Sequence, residues 1–227
     1  MMSKVRDTFT GIADVYDRMN HVLSLGLDIH WRRTAIRMAE ASPSSVLDVA
    51  CGTGDMSLEL ARSFPCAEIT GVDFTPAMLD VARGKCSGEA RIRLLEGDAM
   101  ALPFGRGAEG MSFDLVTCAW GFRNFPDKRK ALSECARVLA PGGRLVVLEF
   151  FRPEHRFLGW LTALWLRILS PLFAPGRRGA YAYLRESMRS TVAEGEFAAM
   201  AGACSLAARR RRFLFPACTC LVFEKRA

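Results

Sequence analysis

The apolar residues of the chain change their rhythm twice. Between residues 4 and 40 they recur at helical spacing, with Val15, Met19, Val22 and Leu23 in one stretch and Ile29, Trp31, Ile36 and Met38 in another. This predicts two helical pieces separated at Gly26, because glycine interrupts an otherwise periodic run. From Ser45 onward, short apolar runs alternate with helical ones. SVLDVA, EITGVDF, RIRLLEGDA, FDLVTCAW and RLVVLEF read as five strands. Helical patterns follow the first around Leu58, Leu60 and Ala61, the second over PAMLDVAR with Pro76 at a first helical position, and the fourth over KRKALSECARVLA before PGG turns the chain. Strands joined by helices are parallel neighbours, so the fold class is α/β, a doubly wound and mostly parallel sheet with helices on both faces. Residues 156–173, RFLGWLTALWLRILSPLF, depart from this rhythm as a nearly uncharged apolar segment. CLVFEK predicts a last strand.

Half of the 227 residues are hydrophobic and 24% are charged, enough apolar material for a sizeable core and too little charge for general disorder. Cys51, Cys66, Cys86, Cys118, Cys135, Cys204, Cys218 and Cys220 form no CxxC pair, and His21, His30 and His155 are far apart. Free thiols, a reducing cytoplasm and no bound metal are therefore expected. The N-terminal residues MMSKVRDTFTGIADVYD contain no apolar leader core. The formal net charge is +7, but it is unevenly spread. Residues 1–151 hold 18 Lys+Arg and 19 Asp+Glu, whereas residues 152–227 hold 13 and 5. An anionic partner is thus expected to meet the second region alone.

The stretch VLDVACGTGDMS puts Gly52 and Gly54 directly after the first strand, where glycine permits a tight turn and close approach of a ligand. Asp73 ends the next strand, where a carboxylate can accept both hydroxyls of a ribose. A dinucleotide fold asks for glycine or alanine at the sixth position of the loop, and Ser57 stands there. Asp48 and Asp55 flank the loop and would repel a pyrophosphate. They suit instead a cofactor with a cationic amino group and a sulfonium, S-adenosylmethionine (SAM). Asp98-Ala99 follow the third strand, placed to reach an adenine amino group and a ring nitrogen. Ala119 ends the fourth strand at the crevice where open α/β sheets bind ligands.

With the stretches YDRMNHVLSLGLDIHWRR, VLDVACGTGD, GVDFTPAML, GDAMALPF, FDLVTCAWGFRNFPDKRKALSECARVLAPGGRLVVLEF and YAYLRES, the chain resembles class I SAM-dependent methyltransferases. More narrowly, it resembles the family that C-methylates polyprenyl quinols in menaquinone and ubiquinone biosynthesis. The glycine loop is common to the class, while YDxMN and WGFRN are specific to the quinol group. The resemblance implies a seven-stranded sheet whose last strand is antiparallel, and cofactor contacts at Thr53, Asp73, Asp98 and Ala99; the family often has serine at the position of Ala119, which joins the set from its place at the crevice. Cys51 stands where the family has glycine. With Asp48, Gly52, Gly54 and Phe74, these residues make up the expected SAM site, and S-adenosylhomocysteine is the expected product.

The expected activity is ring methylation of a polyprenyl quinol, demethylmenaquinol to menaquinol, or its benzoquinol counterpart. Such a ring carbon becomes nucleophilic when the adjacent hydroxyl ionises. Arg123 is the expected stabiliser of the phenolate, Asn124 the partner of the second ring oxygen, and Tyr16 and His30 the proton shuttle. The expected organisation is one methyltransferase domain: a helical lid (1–43), a SAM-binding core (44–151), a substrate- or membrane-facing insertion (152–190), and a C-terminal helix with the last strands (191–227). The two Trp of 156–173 suit the interface of an anionic membrane on its cytoplasmic side, and a buried helix or homodimer contact is the alternative for that segment. Other readings are a methyltransferase for a small soluble acceptor, an RNA methyltransferase suggested by Arg209 to Arg212, and a non-enzymatic nucleotide-binding subunit. No nucleic-acid partner is expected, because only Phe213 and Phe215 border that basic run.

Overall fold

The computed structural model describes residues 2–105, 112–152, 186–188, 190–214 and 218–226. The apolar segment 156–173, and YAYLRES apart from its last two residues, lie outside the described residues. The N-terminal region forms three helices, not two: α1 (Met2–Thr10), α2 (Tyr16–Leu23) and α3 (Leu27–Ala39). Gly26 does break the second from the third, at φ 77°. The additional break falls at residues 11–15, which turn.

Among the described residues, seven strands follow in a single sheet: β1 (Ser45–Val49), β2 (Glu68–Asp73), β3 (Ile92–Glu96), β4 (Phe113–Ala119), β5 (Leu139–Glu149), β6 (Leu206–Leu214) and β7 (Cys218–Lys225). Their order is β3-β2-β1-β4-β5-β7-β6. β1 to β5 pair in parallel, and β7 runs antiparallel to both β5 and β6. The helices between them are α4 (Asp55–Ser63), α5 (Pro76–Cys86) and α6 (Lys128–Val138), and α7 (Glu194–Ala203) precedes β6. Pro76 takes the predicted first turn of α5. Asp127 caps α6 by accepting from the Lys130 N–H at 2.9 Å. That helix ends at Val138, two residues short of the expectation, because Leu139 already pairs with Phe113 in the sheet.

Alternate residues of the central strands feed two cores. Leu47, Val116, Val147 and Phe223 pack with α6 and Phe197 of α7, whereas Val46, Leu115, Val146 and Val222 pack with Trp31, Ile36 and Leu60 of α3 and α4. A two-residue period in the strands thus covers both faces of the sheet, as parallel sheets require. The basic run Arg209 to Arg212 lies on β6, at the sheet's edge, with all four residues exposed. All eight cysteines are free, and six are buried. Among the described residues no helix is long and apolar enough to cross a membrane.

Candidate active site

The strand order reverses direction between β1 and β4, and crossovers leave to opposite sides there, opening a crevice at the C-terminal strand ends. Two non-glycine residues at this point have left-handed backbones: Ala50, just after β1, at φ 55°, and Trp120, just after β4, at φ 58°. Such conformations cost about 1–3 kcal/mol each and concentrate at functional sites. The Trp120 N–H donates to the Leu148 carbonyl at 2.7 Å, which fixes the turn.

About 680 Å³ of space lies in and over the crevice, part of it open to solvent. Its floor and inner wall come from the strand ends: Ala50 and Gly52, Asp73 and Phe74, Asp98 and Ala99, and Ala119 to Gly121. The outer wall comes from Val5 and Phe9 of α1, Tyr16 of α2, and Asn124 and Phe125. Phe9 and Tyr16 meet edge-on at 5.8 Å and join the first two helices.

Asp73 is held in place by two backbone donors, Gly52 N–H at 2.9 Å on Oδ2 and Thr75 N–H at 2.8 Å on Oδ1. Burial raises its pKa, and those backbone bonds act in the opposite sense. Gly52 is at φ 56°, and a Cβ built there would meet no atom within 4 Å, so its face is open for a ligand. Asp98 accepts from the Met100 N–H at 2.8 Å on Oδ1. A nucleoside fits this set: a carboxylate for hydroxyls at the end of β2, a second carboxylate beside Ala99, and apolar Phe74 and Met78 in the same lining.

Of the site residues expected from the sequence, Tyr16, Gly52, Asp73, Phe74, Asp98, Ala99, Ala119 and Asn124 line this crevice together. The others, with Asp55 of the loop, stand elsewhere. Asp48 is 1% exposed beneath the loop, accepting from Ser57 Oγ at 2.7 Å and Thr117 Oγ1 at 2.9 Å. Gly54 caps α4 at φ 86°, where a Cβ would come within 3.0 Å of Cys86 Sγ. The Thr53 hydroxyl donates to Asp17 behind the wall. Asp55, the loop's other acid, pairs with Lys85 and Arg32. His30 is exposed on α3, 3.4 Å from Thr34 Oγ1.

Arg123 is buried behind Asn124. Its Nη1 donates to Glu149 Oε1 at 2.9 Å and to the Trp120 carbonyl at 2.6 Å, while its backbone N–H donates to Glu149 Oε2 at 3.0 Å. The Phe150 N–H adds a bond to Glu149 Oε1 at 2.7 Å. The Trp120 carbonyl also accepts from Asn124 Nδ2 at 3.3 Å. Glu149, absent from the sequence-based set, therefore organises the whole WGFRN turn. Its signal in the sequence is an acid closing the otherwise apolar run RLVVLEF. Asp17 and Lys85 carry no such signal, since their contact spans 68 residues.

Sheet order, glycine loop and crevice define a SAM-dependent methyltransferase of class I. A crystal structure of a SAM-dependent methyltransferase from Aquifex aeolicus has this fold, with TM-score 0.63 at 15% identity over 85% of this chain and 88% of that one. The chain belongs to the ubiE/COQ5 methyltransferase family, whose profile matches residues 1–213. It is 45% identical to the demethylmenaquinone methyltransferase of Thermus thermophilus over 91% of this chain and 94% of the relative. Against the demethylmenaquinone methyltransferase of Deinococcus radiodurans it is 44% identical over 98% and 92%.

Proposed function

We propose that this enzyme methylates the ring of a polyprenyl quinol, converting demethylmenaquinol to menaquinol and leaving S-adenosylhomocysteine. The observation that carries this reading is the composition of one crevice. Ribose-type acceptors at Asp73 share it with Tyr16 and Asn124 and with the apolar Val5, Phe9 and Phe125. SAM, when bound, supplies a methyl group on a cationic sulfur. Asp73 would hold the ribose hydroxyls, and Asp98 with Ala99 the adenine edge. Tyr16 and Asn124 would face the quinol ring oxygens, and Phe9 and Phe125 the apolar ring and the start of its tail.

A phenol ionises near pH 10, so forming the phenolate near neutrality asks for about 4 kcal/mol of differential stabilisation. Asn124 makes the direct contact in this scheme, and Arg123 adds a positive field from behind it. Glu149 offsets part of that charge, which makes Arg123 an orienting and polarising group. Arginine holds its proton too firmly to be a base. Tyr16 would relay the quinol hydroxyl proton, its oxygen accepting it as its own O–H proton passes to solvent water, because it lines the crevice and His30 is exposed outside it. Closure by α1 and α2 excludes water and aligns carbon, methyl and sulfur.

We further propose peripheral contact with an anionic membrane face through the basic region 152–227. Arg209, Arg210 and Arg211 are paired with Glu224, Glu40 and Glu194, an arrangement that suits an edge strand better than a nucleic-acid surface. The decisive experiment incubates the enzyme with SAM and demethylmenaquinol, and separately with the benzoquinol precursor, and follows methyl transfer by mass spectrometry. Transfer to demethylmenaquinol is expected, and transfer to neither quinol overturns the proposal. Arg123→Ala is expected to lower kcat at least about tenfold while SAM affinity stays close to wild type.

A further inference from the structure

A run of opposite charges ties the lid helices to the cofactor loop from behind. Asp17, the second residue of α2, accepts a hydrogen bond from the Thr53 hydroxyl of the glycine loop. Its other oxygen accepts from Lys85 Nζ of α5 at 2.5 Å. Lys85 also donates to Asp55 at the start of α4, and Arg32 of α3 lies 3.3 Å from the second Asp55 oxygen. Arg32 in turn donates to Asp28 at 2.7 Å. An acid in the first turn of a helix is favoured by the helix dipole alone. Here it also makes two contacts distant in sequence, 36 and 68 residues away. The immediate neighbours of the joined residues, Tyr16 and Gly52, both line the crevice. The Asp17–Thr53 bond therefore closes the seam between lid and loop at the rim of the site.

We infer that Asp17 is a positioning residue for methyl transfer: clamped by Thr53 and Lys85, it seats α2 on the glycine loop and keeps Tyr16 in the crevice wall. This rests on the crevice being the SAM site and adds the device that couples the lid to it. Apparent cofactor affinity then scales with the fraction of molecules whose lid is seated. Asp17 and Lys85 side chains are 28% and 27% exposed, so salt reaches the pair and weakens it.

The test measures SAM binding by titration calorimetry, without quinol, on the full chain and on Asp17→Ala, Asp17→Asn and Lys85→Met, at low and high NaCl. Melting temperatures are recorded alongside. The Kd for SAM is expected to rise about three- to tenfold in Asp17→Ala and Lys85→Met. Asp17→Asn, which keeps an acceptor for Thr53 and loses the charge, falls between these and wild type. Salt weakens SAM binding to the wild type and leaves Lys85→Met nearly unchanged, a difference that a purely structural role would not produce. SAM affinity within twofold of wild type in both Asp17→Ala and Lys85→Met, or equal salt dependence in wild type and Lys85→Met, overturns the inference. Because the titration uses cofactor alone, failure of quinol methylation would leave this result standing.

Discussion

Asp48 is buried to 1% exposure with both oxygens on hydroxyls. Burial pushes its pKa up to about 6 from an ordinary 3.8, although Ser57, Thr117 and the Arg32 charge pull it down. The folded chain thus holds this proton more tightly than the unfolded one. Its contribution to stability is complete below pH 3.8 and is lost as the pH climbs through about 6, a change of roughly 3 kcal/mol. Asp48→Asn keeps a donor and an acceptor for the two hydroxyls and removes the titration. Its melting temperature should exceed that of wild type at pH 7, with the two converging toward pH 4, and parallel pH profiles would refute this. Asp73→Ala should weaken SAM binding about ten- to a hundredfold in calorimetry, because a partly desolvated carboxylate loses its bonds to the cofactor. That Gly52, Asp73, Asp98 and Ala99 share one crevice was legible because each lies at or just past the end of a strand recognisable by its apolar run. His30 was not, since helical periodicity sets a residue's face but not what stands opposite. Neither was the burial of Arg123, whose partner Glu149 lies 26 residues further on.

The element that most needs its surroundings is the turn after β4. Gly121 has no room for a side chain: a Cβ would lie 2.7 Å from Cys118 Sγ and 2.8 Å from Ala50 Cβ. Gly121→Ala should lower stability by about 1–3 kcal/mol in denaturant titrations, the usual cost of overpacking. The turn's other support is the ion pair of Arg123 and Glu149, 6% and 1% exposed. Breaking a buried pair from one side costs about 3–5 kcal/mol, whereas replacing both partners by apolar residues costs far less. Glu149→Ala is therefore expected to lower the melting temperature more than Arg123→Met/Glu149→Leu together, and the reverse order would show the pair to be solvated. The first five strands were readable from two-residue and continuous apolar patterns. β6 was hidden because LAARRRRFL presents six consecutive exposed positions and no alternation. Its membership depends on pairing with β7, a non-local fact.

Across the whole molecule, the charge excess and the edge strand coincide. Residues 152–227 carry 13 Lys+Arg against 5 Asp+Glu, and part of that excess sits on β6. Co-sedimentation with phosphatidylglycerol vesicles should exceed that with phosphatidylcholine vesicles and fall with NaCl, and equal binding to both would remove the electrostatic contribution. β7 occupies the slot between β5 and β6, although it is made after both. The order of synthesis therefore matters. Until residues 218–225 leave the ribosome, the outer edge of β5 has no neighbour, and an unpaired edge invites association with other chains. When the late strand arrives, its register sets Thr219 against Glu149, the residue that fixes the WGFRN turn. A strand translated after β6 thus completes the support behind the crevice, and a chain truncated before residue 218 should aggregate before it acquires activity.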